Sequence, residues 1–212
     1  MVITRPNHDV TTFYLFHWSK PILDQAKRHK ISVVDLLGDR ANKKEFMSVI
    51  RKTRPKLVVV NGHGNSDTLM GQDNEVLVTT DENEEIFADT VVYARSCESA
   101  KNLGPSCITN GARAYIGYRE DFVFFVQDGH TRDPLRDRTA QLFLEPANGV
   151  VIALLKGHTT GVAYEKSKEM YTRTMQKLLT SETPKEEKEL VPYLRWNMVH
   201  QVCLGDGGAK II

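Results

Sequence analysis

Short apolar runs set between longer, partly polar stretches dominate the hydrophobic pattern of this chain. Two runs stand out. LVVV (57–60) and VVYA (91–94) are β-branched or aromatic, and each stops at a polar, chemically active tail, NGHG (61–64) after the first and RSC (95–97) after the second. Apolar runs of this length read as strands buried on both faces, the texture of a parallel sheet. Upstream, residues 11–16 (TTFYLF) are rich in β-formers and predict a first strand, and residues 31–37 predict a second. Helices fall between them. Ser19-Lys20-Pro21 opens one that runs to about residue 29, with Ser19 as N-cap and Pro21 in the first turn. Asn42-Lys43-Lys44-Glu45 has capping-box form and opens another through Phe46, Val49 and Ile50, ending near Pro55. Strand, helix, strand, helix, strand is the order of a parallel α/β sheet with right-handed crossovers.

Beyond Gly64 the texture changes. Residues 68–70 and 75–79 flank GQDN (71–74) and predict a hairpin. Residues 81–89 predict a short acidic helix, 105–110 a helix closed by Gly111, and 112–118 (ARAYIGY) a fifth strand after the one at 90–94. FVFFV (122–126) reads as a strand or a buried loop, and 129–137 as a polar loop. Residues 138–144, 150–155, 161–179 and 190–202 predict helices, with a break at 181–184 and the end of the fold at GDGG (205–208). No repeat, low-complexity tract or linker divides the chain. The expectation is a single domain over residues 1–212: a three-layer α/β sandwich with a mostly parallel sheet of five or six strands and a helical C-terminal third.

Composition narrows the function classes. The chain has 212 residues, 41% hydrophobic and 26% charged, the profile of a soluble globular protein. A net charge of +1 supplies no field for nucleic acid or an anionic membrane, so neither is an expected partner. The 3 cysteines are too few for a disulfide framework and fit a reducing compartment. The first residues lack a signal-peptide core, and no apolar run approaches the roughly 18 residues of a membrane span. A cytoplasmic location is expected. The histidines and cysteines show no zinc-ligand spacing, so no metal or cofactor is expected, and GDGGAK (205–210) lacks phosphate-loop spacing.

In open parallel sheets the carboxyl ends of the strands line the ligand crevice. His63 and Cys97 sit at two such ends. An imidazole beside a thiol is the minimum equipment of thiol-based nucleophilic catalysis. Cys97 takes the nucleophile's place, with a helical turn expected at 98–103 whose dipole lowers a thiol pKa. His63 takes the base's place, since imidazole titrates near neutrality in water. The backbone N–H groups of Gly64 and Cys97 are the candidate oxyanion donors. His130 reads as a solvated loop residue, Cys107 as a buried one, and Ser66 and Asp67 as partners within a turn.

These motifs resemble the caspase-like fold of the clan CD cysteine peptidases, the group of caspases, metacaspases, legumain, separase, clostripain, gingipains and CHAT-domain proteases. NGHG (61–64), VVYARSCESAKNLG (91–104) and NGARAYIGY (110–118) are similar in texture to the gingipain-like and CHAT branch. WNMVHQVCLGD (196–206) resembles the end of gingipain-like domains. The resemblance implies a cysteine endopeptidase acting on a protein or peptide, with His63 and Cys97 as catalytic dyad, a thioester acyl-enzyme, and an oxyanion hole from the backbones of Gly64 and Cys97. It also implies that the residue two before the cysteine helps line the specificity pocket. Here that residue is Arg95, where metacaspases and related enzymes often carry aspartate. Arg95 either selects an acidic side chain or pairs with Glu98, Glu120 or Asp121 in a structural role. Glu120 and Asp121 alternatively form a pocket for arginine or lysine. No processing site is visible, and a regulatory partner protein is an expected means of control. The competing readings are a catalytically silent interaction module and a non-peptide acyl hydrolase.

Overall fold

The computed structural model describes residues 1–127 and 133–212. Its centre is a sheet of strands β1 (Val2–Arg5), β2 (Val34–Leu37), β3 (Leu57–Asn61), β6 (Val91–Arg95), β7 (Ala114–Tyr118) and β8 (Gln201–Gly205). They lie in the order β2-β1-β3-β6-β7-β8, all pairs parallel except β7 with β8. A hairpin of β4 (Thr68–Met70) and β5 (Val76–Thr79) stands apart from it. The helices are α1 (Val10–Trp18), α2 (Lys20–Arg28), α3 (Lys43–Thr53), α4 (Leu103–Thr109), α5 (Arg138–Leu155), α6 (Thr160–Leu178), α7 (Lys185–Lys188) and α8 (Val191–His200).

Strand alternation sorts the core into two faces. Val58, Val60, Val92 and Ala94 point one way, against Phe46 and Ile50 of α3, Leu103 and Cys107 of α4, and the hairpin. Leu57, Val59, Val91 and Tyr93 point the other way, against Ile22 and Ala26 of α2 and the apolar side of α5. Every residue of β3 and β6 is buried, as their unbroken apolar runs require. Three layers result, with the sheet in the middle. No helix among the described residues is long and apolar enough to cross a membrane.

The structure corrects several expectations. The first strand is Val2–Arg5, and the β-former-rich stretch after it is helix α1. A local signal explains the change. The Asp9 side chain accepts from the Thr12 N–H and the Thr12 hydroxyl accepts from the Asp9 N–H, a reciprocal capping box that starts a helix. Burial of Tyr14, Leu15 and Trp18 then outweighs a propensity difference of a few tenths of a kcal/mol per residue. The two helices expected over 138–155 are one, α5, which runs through Pro146. Proline at a helix interior costs about 3 kcal/mol. The helix here is buried along most of its length, and the Pro146 carbonyl accepts the Ser167 hydroxyl of α6. The expected helix over 190–202 stops at His200, and β8 follows as an antiparallel edge on β7. The acidic segment forms only a short 3-10 turn, Glu84–Phe87. FVFFV takes no regular structure; Phe122 is buried and Phe125 is exposed. His130 lies outside the described residues.

Candidate active site

β1, β3 and β6 are consecutive neighbours in the sheet. From β1 the chain goes outward to β2, whereas from β3 it proceeds to β6 on the opposite side. The crevice at such a reversal is where parallel sheets bind ligands. Three side chains lie just past these carboxyl ends: Asp9 after β1, His63 after β3, and Cys97 after β6. Asn61 pairs in register with Arg95, so His63 and Cys97 stand at the same offset beyond two adjacent strands. Adjacent strands run about 4.8 Å apart.

Two glycines hold the histidine loop in shape. Gly62 has a φ of +148°, and a side chain there meets the Met70 carbonyl. A Cβ on Gly64 would lie 2.7 Å from the Thr68 carbonyl oxygen and 3.0 Å from the Ser96 Cβ. The loop therefore packs directly on the residue preceding the cysteine. Gly64 also faces Leu69 in an isolated antiparallel bridge whose bonds are made by its neighbours, Met70 N–H to the His63 carbonyl and Asn65 N–H to the Thr68 carbonyl. That register turns the Gly64 N–H away from β4. Neither the Gly64 nor the Cys97 N–H donates to another backbone group among the described residues. Both remain free for an incoming oxygen.

The cysteine turn is fastened on both sides. The Ser66 carbonyl accepts the N–H groups of Asn102 and Leu103, and Asn102 Nδ2 donates to Asp67 Oδ1 at 3.0 Å. Ser66 and Asp67 thus tie the histidine loop to the start of α4. On the other side the Glu98 N–H donates to the Glu120 carbonyl and the Ala100 N–H to the Tyr118 carbonyl. Residues 97–102 are turns, with Glu98 at a φ of +50°, and α4 begins only at Leu103. The expected helix dipole at Cys97 is therefore absent, and the expected low thiol pKa is reversed. Burial pushes the Cys97 thiol up to about 11, and the Asp121 and Glu98 carboxylates add to it, while the Phe122 backbone N–H works the other way. At neutral pH the resting group is a thiol. No hydrogen bond joins it to His63 among the described residues.

Asp9 is a member of the candidate site that sequence reasoning missed. Its Oδ2 lies 2.6 Å from His63 Nε2, and its Oδ1 accepts the Thr12 N–H at 2.7 Å. Burial works to raise the Asp9 carboxyl, but hydrogen bonds from Thr12 and from His63, together with the charge of His63, hold it down to about 2. An ionised carboxylate on one imidazole nitrogen fixes the ring and leaves Nδ1 for a thiol proton. The Asp-x-x-Thr capping pattern at residues 9–12 was legible; its link to His63 was not.

Arg95 does not face the crevice. It is fully buried, with Nε and Nη2 donating to Asn61 Oδ1 at 3.1 and 2.7 Å and Nη1 donating to Asn148 Oδ1 at 2.8 Å. It also bonds none of the expected acids. The strand's alternation points its side chain, like that of Tyr93, into the α5 layer, where it does not meet an acidic side chain of a substrate. The Asp121 carboxylate instead lies near the cysteine, where its charge opposes the thiolate. Glu120, the preceding residue, lies 3.9 Å from Lys101 Nζ, which also binds Glu98 Oε1 at 3.0 Å. Cys107 is buried in α4, as expected. Among the described residues, His8, Asp9 and His63 offer ligand atoms that could hold a metal.

No protein-family model matches the sequence, and no curated protein sequence matches it. Among solved structures, the fold matches the crystal structure of the Arg-specific cysteine proteinase gingipain R, with a TM-score of 0.60 and 11% identity. The alignment covers 92% of this chain and 42% of that chain, so the protein spans less than half the length of its structural neighbour. The likeness is one of fold: a mixed α/β sandwich on a mostly parallel six-stranded sheet, resembling the caspase-like fold of gingipain.

Proposed function

We propose that the protein is a cysteine endopeptidase that works through His63 and Cys97, on the gingipain-like side of the caspase-like group. One observation carries the reading: the two residues occupy equal offsets beyond the paired ends of adjacent parallel strands, next to the β1/β3 boundary where the sheet's connections reverse. The His63 imidazole takes the thiol proton as Cys97 Sγ attacks the peptide carbonyl. The Gly64 and Cys97 N–H groups donate to the oxyanion. Collapse of the tetrahedral adduct breaks the C–N bond, and the imidazolium protonates the leaving amine. Water then hydrolyses the thioester and restores the thiol.

The Asp121 carboxylate beside the thiol, with Glu120 preceding it in the chain, favours a basic side chain in the substrate. A bound guanidinium or ammonium neutralises the charge that opposes the thiolate, so the same contact selects the substrate and eases ionisation of Cys97. The Arg specificity stated for gingipain R is consistent with this choice. The raised resting thiol is the observation that favours the second reading, a silent module, and it also suits an enzyme that a partner protein holds inactive.

The test is cleavage of fluorogenic peptides carrying Arg, Lys, Asp or Leu before the reporter. Cleavage after Arg or Lys that disappears in Cys97→Ala and in His63→Ala supports the proposal. Hydrolysis of simple thioesters or esters without peptide cleavage indicates the acyl-hydrolase alternative. No turnover of either class, with Cys97 inert to alkylation across pH, leaves the silent module.

A further inference from the structure

Next to the dyad, three side chains converge that no catalytic step requires together. His8 and Asp9 lie in the connection from β1 to α1, and His63 arrives from the end of β3. Each offers one nitrogen or oxygen, and these ligand atoms lie within 4.8 Å of one another. Asp9 Oδ2 is at the centre, 2.6 Å from His63 Nε2 and 3.8 Å from His8 Nε2. The two rings meet edge to face with centroids 6.0 Å apart. We infer that His8, Asp9 and His63 form a binding site for a zinc-class divalent cation, and that filling it withdraws the base from Cys97. The second half of this inference rests on the proposed dyad; the first does not.

Three features of the site suit such an ion. The donor set is two imidazoles and one carboxylate, the three-ligand arrangement in which zinc keeps a fourth position for water. The carboxylate is already oriented, since its other oxygen is held by the N–H and hydroxyl of Thr12. His8 is tethered at one nitrogen only: Nε2 sits 3.2 Å from Asn74 Oδ1, while Nδ1 is buried with no hydrogen-bond partner among the described residues. The nitrogen on the Asp9 side is Nε2, 3.8 Å from Asp9 Oδ2, and it binds a metal by releasing Asn74. Ligands at about 2.0–2.1 Å from tetrahedral zinc lie roughly 3.3 Å apart. The Asp9–His63 pair must therefore open by several tenths of an ångström, and the 3.8 Å gap to His8 must close by a similar amount. The Asp9 and His63 side chains are 39% and 34% exposed, so both the ion and the adjustment have room.

The proton balance explains the consequence. Binding displaces the hydrogen that His63 Nε2 shares with Asp9 Oδ2, and the ring takes up one on Nδ1 by exchange with solvent, so no net proton is released. With Nε2 on the metal, the neutral ring carries its hydrogen on Nδ1. That nitrogen can no longer accept the thiol proton, and Cys97 loses its base.

The full-length chain, stripped with EDTA, is titrated with zinc against a colorimetric zinc chelator, as wild type, His8→Ala and Cys97→Ala. Wild type takes up one equivalent, Cys97→Ala matches it, and His8→Ala binds at least tenfold more weakly while melting as a folded protein. Cobalt(II) substituted into wild type shows tetrahedral ligand-field bands without a thiolate charge-transfer band. This spectrum reads the ligand set even if His8→Ala does not fold. Absence of binding, loss of binding in Cys97→Ala, a thiolate band, or undiminished affinity in folded His8→Ala overturns the site. Peptide cleavage by the EDTA-treated wild type falls when zinc is added and returns with chelator. Cleavage that ignores zinc under saturating binding overturns the inhibitory half. No cleavage in any metal state counts against the proposed function and leaves the binding result standing.

Discussion

Asp9 joins a helix terminus to a candidate catalytic base: one carboxylate oxygen caps α1 through the Thr12 N–H at 2.7 Å, and the other lies 2.6 Å from His63 Nε2. The two roles separate by substitution. Asparagine caps helices about as well as aspartate, whereas alanine costs about 1 kcal/mol. Asp9→Asn should keep the melting temperature within a few degrees of wild type yet lower peptide cleavage at least tenfold. Asp9→Ala should lose activity and also melt several degrees lower. Equal activity of wild type and Asp9→Asn would show that the carboxylate does not position the imidazole.

Cys97 should behave as a reluctant thiol in the resting protein. Burial and the Asp121 carboxylate place its ionisation at about 11, against about 8.5 for a free thiol. Alkylation by iodoacetamide should rise with pH well above the free-thiol range. Asp121→Asn removes a negative charge that opposes the thiolate, so its profile should move to lower pH. A wild-type profile at or below the free-thiol value would contradict this account of the site.

Arg95 should matter for stability rather than substrate choice. Its guanidinium is fully buried and satisfies both Asn61 and Asn148. Arg95→Ala leaves those amide oxygens unpaired, at about 1–3 kcal/mol each, and opens a cavity as well. A loss of about 3–5 kcal/mol corresponds to a drop of roughly 6–20 °C in a domain of this size. The readout is calorimetry, paired with a peptide profile of whatever folded variant is obtained, Arg95→Lys included. A shift from basic to acidic preference in Arg95→Lys would return this residue to the pocket.

Acid should weaken the fold partly through Asp9. Its folded pKa of about 2 lies below the unfolded value of about 3.9, so its contribution is complete above pH 4 and fades as pH falls toward 2. At 39% exposure the gain is screened to no more than about 1 kcal/mol. Urea unfolding at pH 6, 4 and 3 should show Asp9→Asn slightly less stable than wild type at pH 6, with the gap closing as acid is added. A gap that stays constant down to pH 3 would show that the charge of Asp9 does not stabilise the fold.

The chain's own pattern was enough to locate β3, β6 and β7, because fully buried parallel strands are written as unbroken apolar runs with polar ends. The same pattern located the Asn42 cap of α3, whose Oδ1 accepts the Glu45 N–H at 2.9 Å. Where the local signal and the packing disagreed, packing prevailed. TTFYLF is a good strand by composition, but it follows a capping box and buries Tyr14 against Asp137, so it is helix. β8 was read as the end of a helix because an edge strand is specified by its partner across the sheet, and β7 lies far away in sequence.

The residue types at the candidate site, His63 between glycines and Cys97 after an apolar strand, were determined by sequence alone, since each follows from a local run and its abrupt stop. The tertiary structure decided their setting. It brought Asp9 and His8 to His63 across more than fifty residues, sent Arg95 into the core by strand alternation, and put Asp121 rather than a helix terminus beside the thiol. Spacing along the chain carries no trace of such contacts. They arise only when β1, β3 and β6 lie side by side, because charge, burial and coordination depend on distances in space.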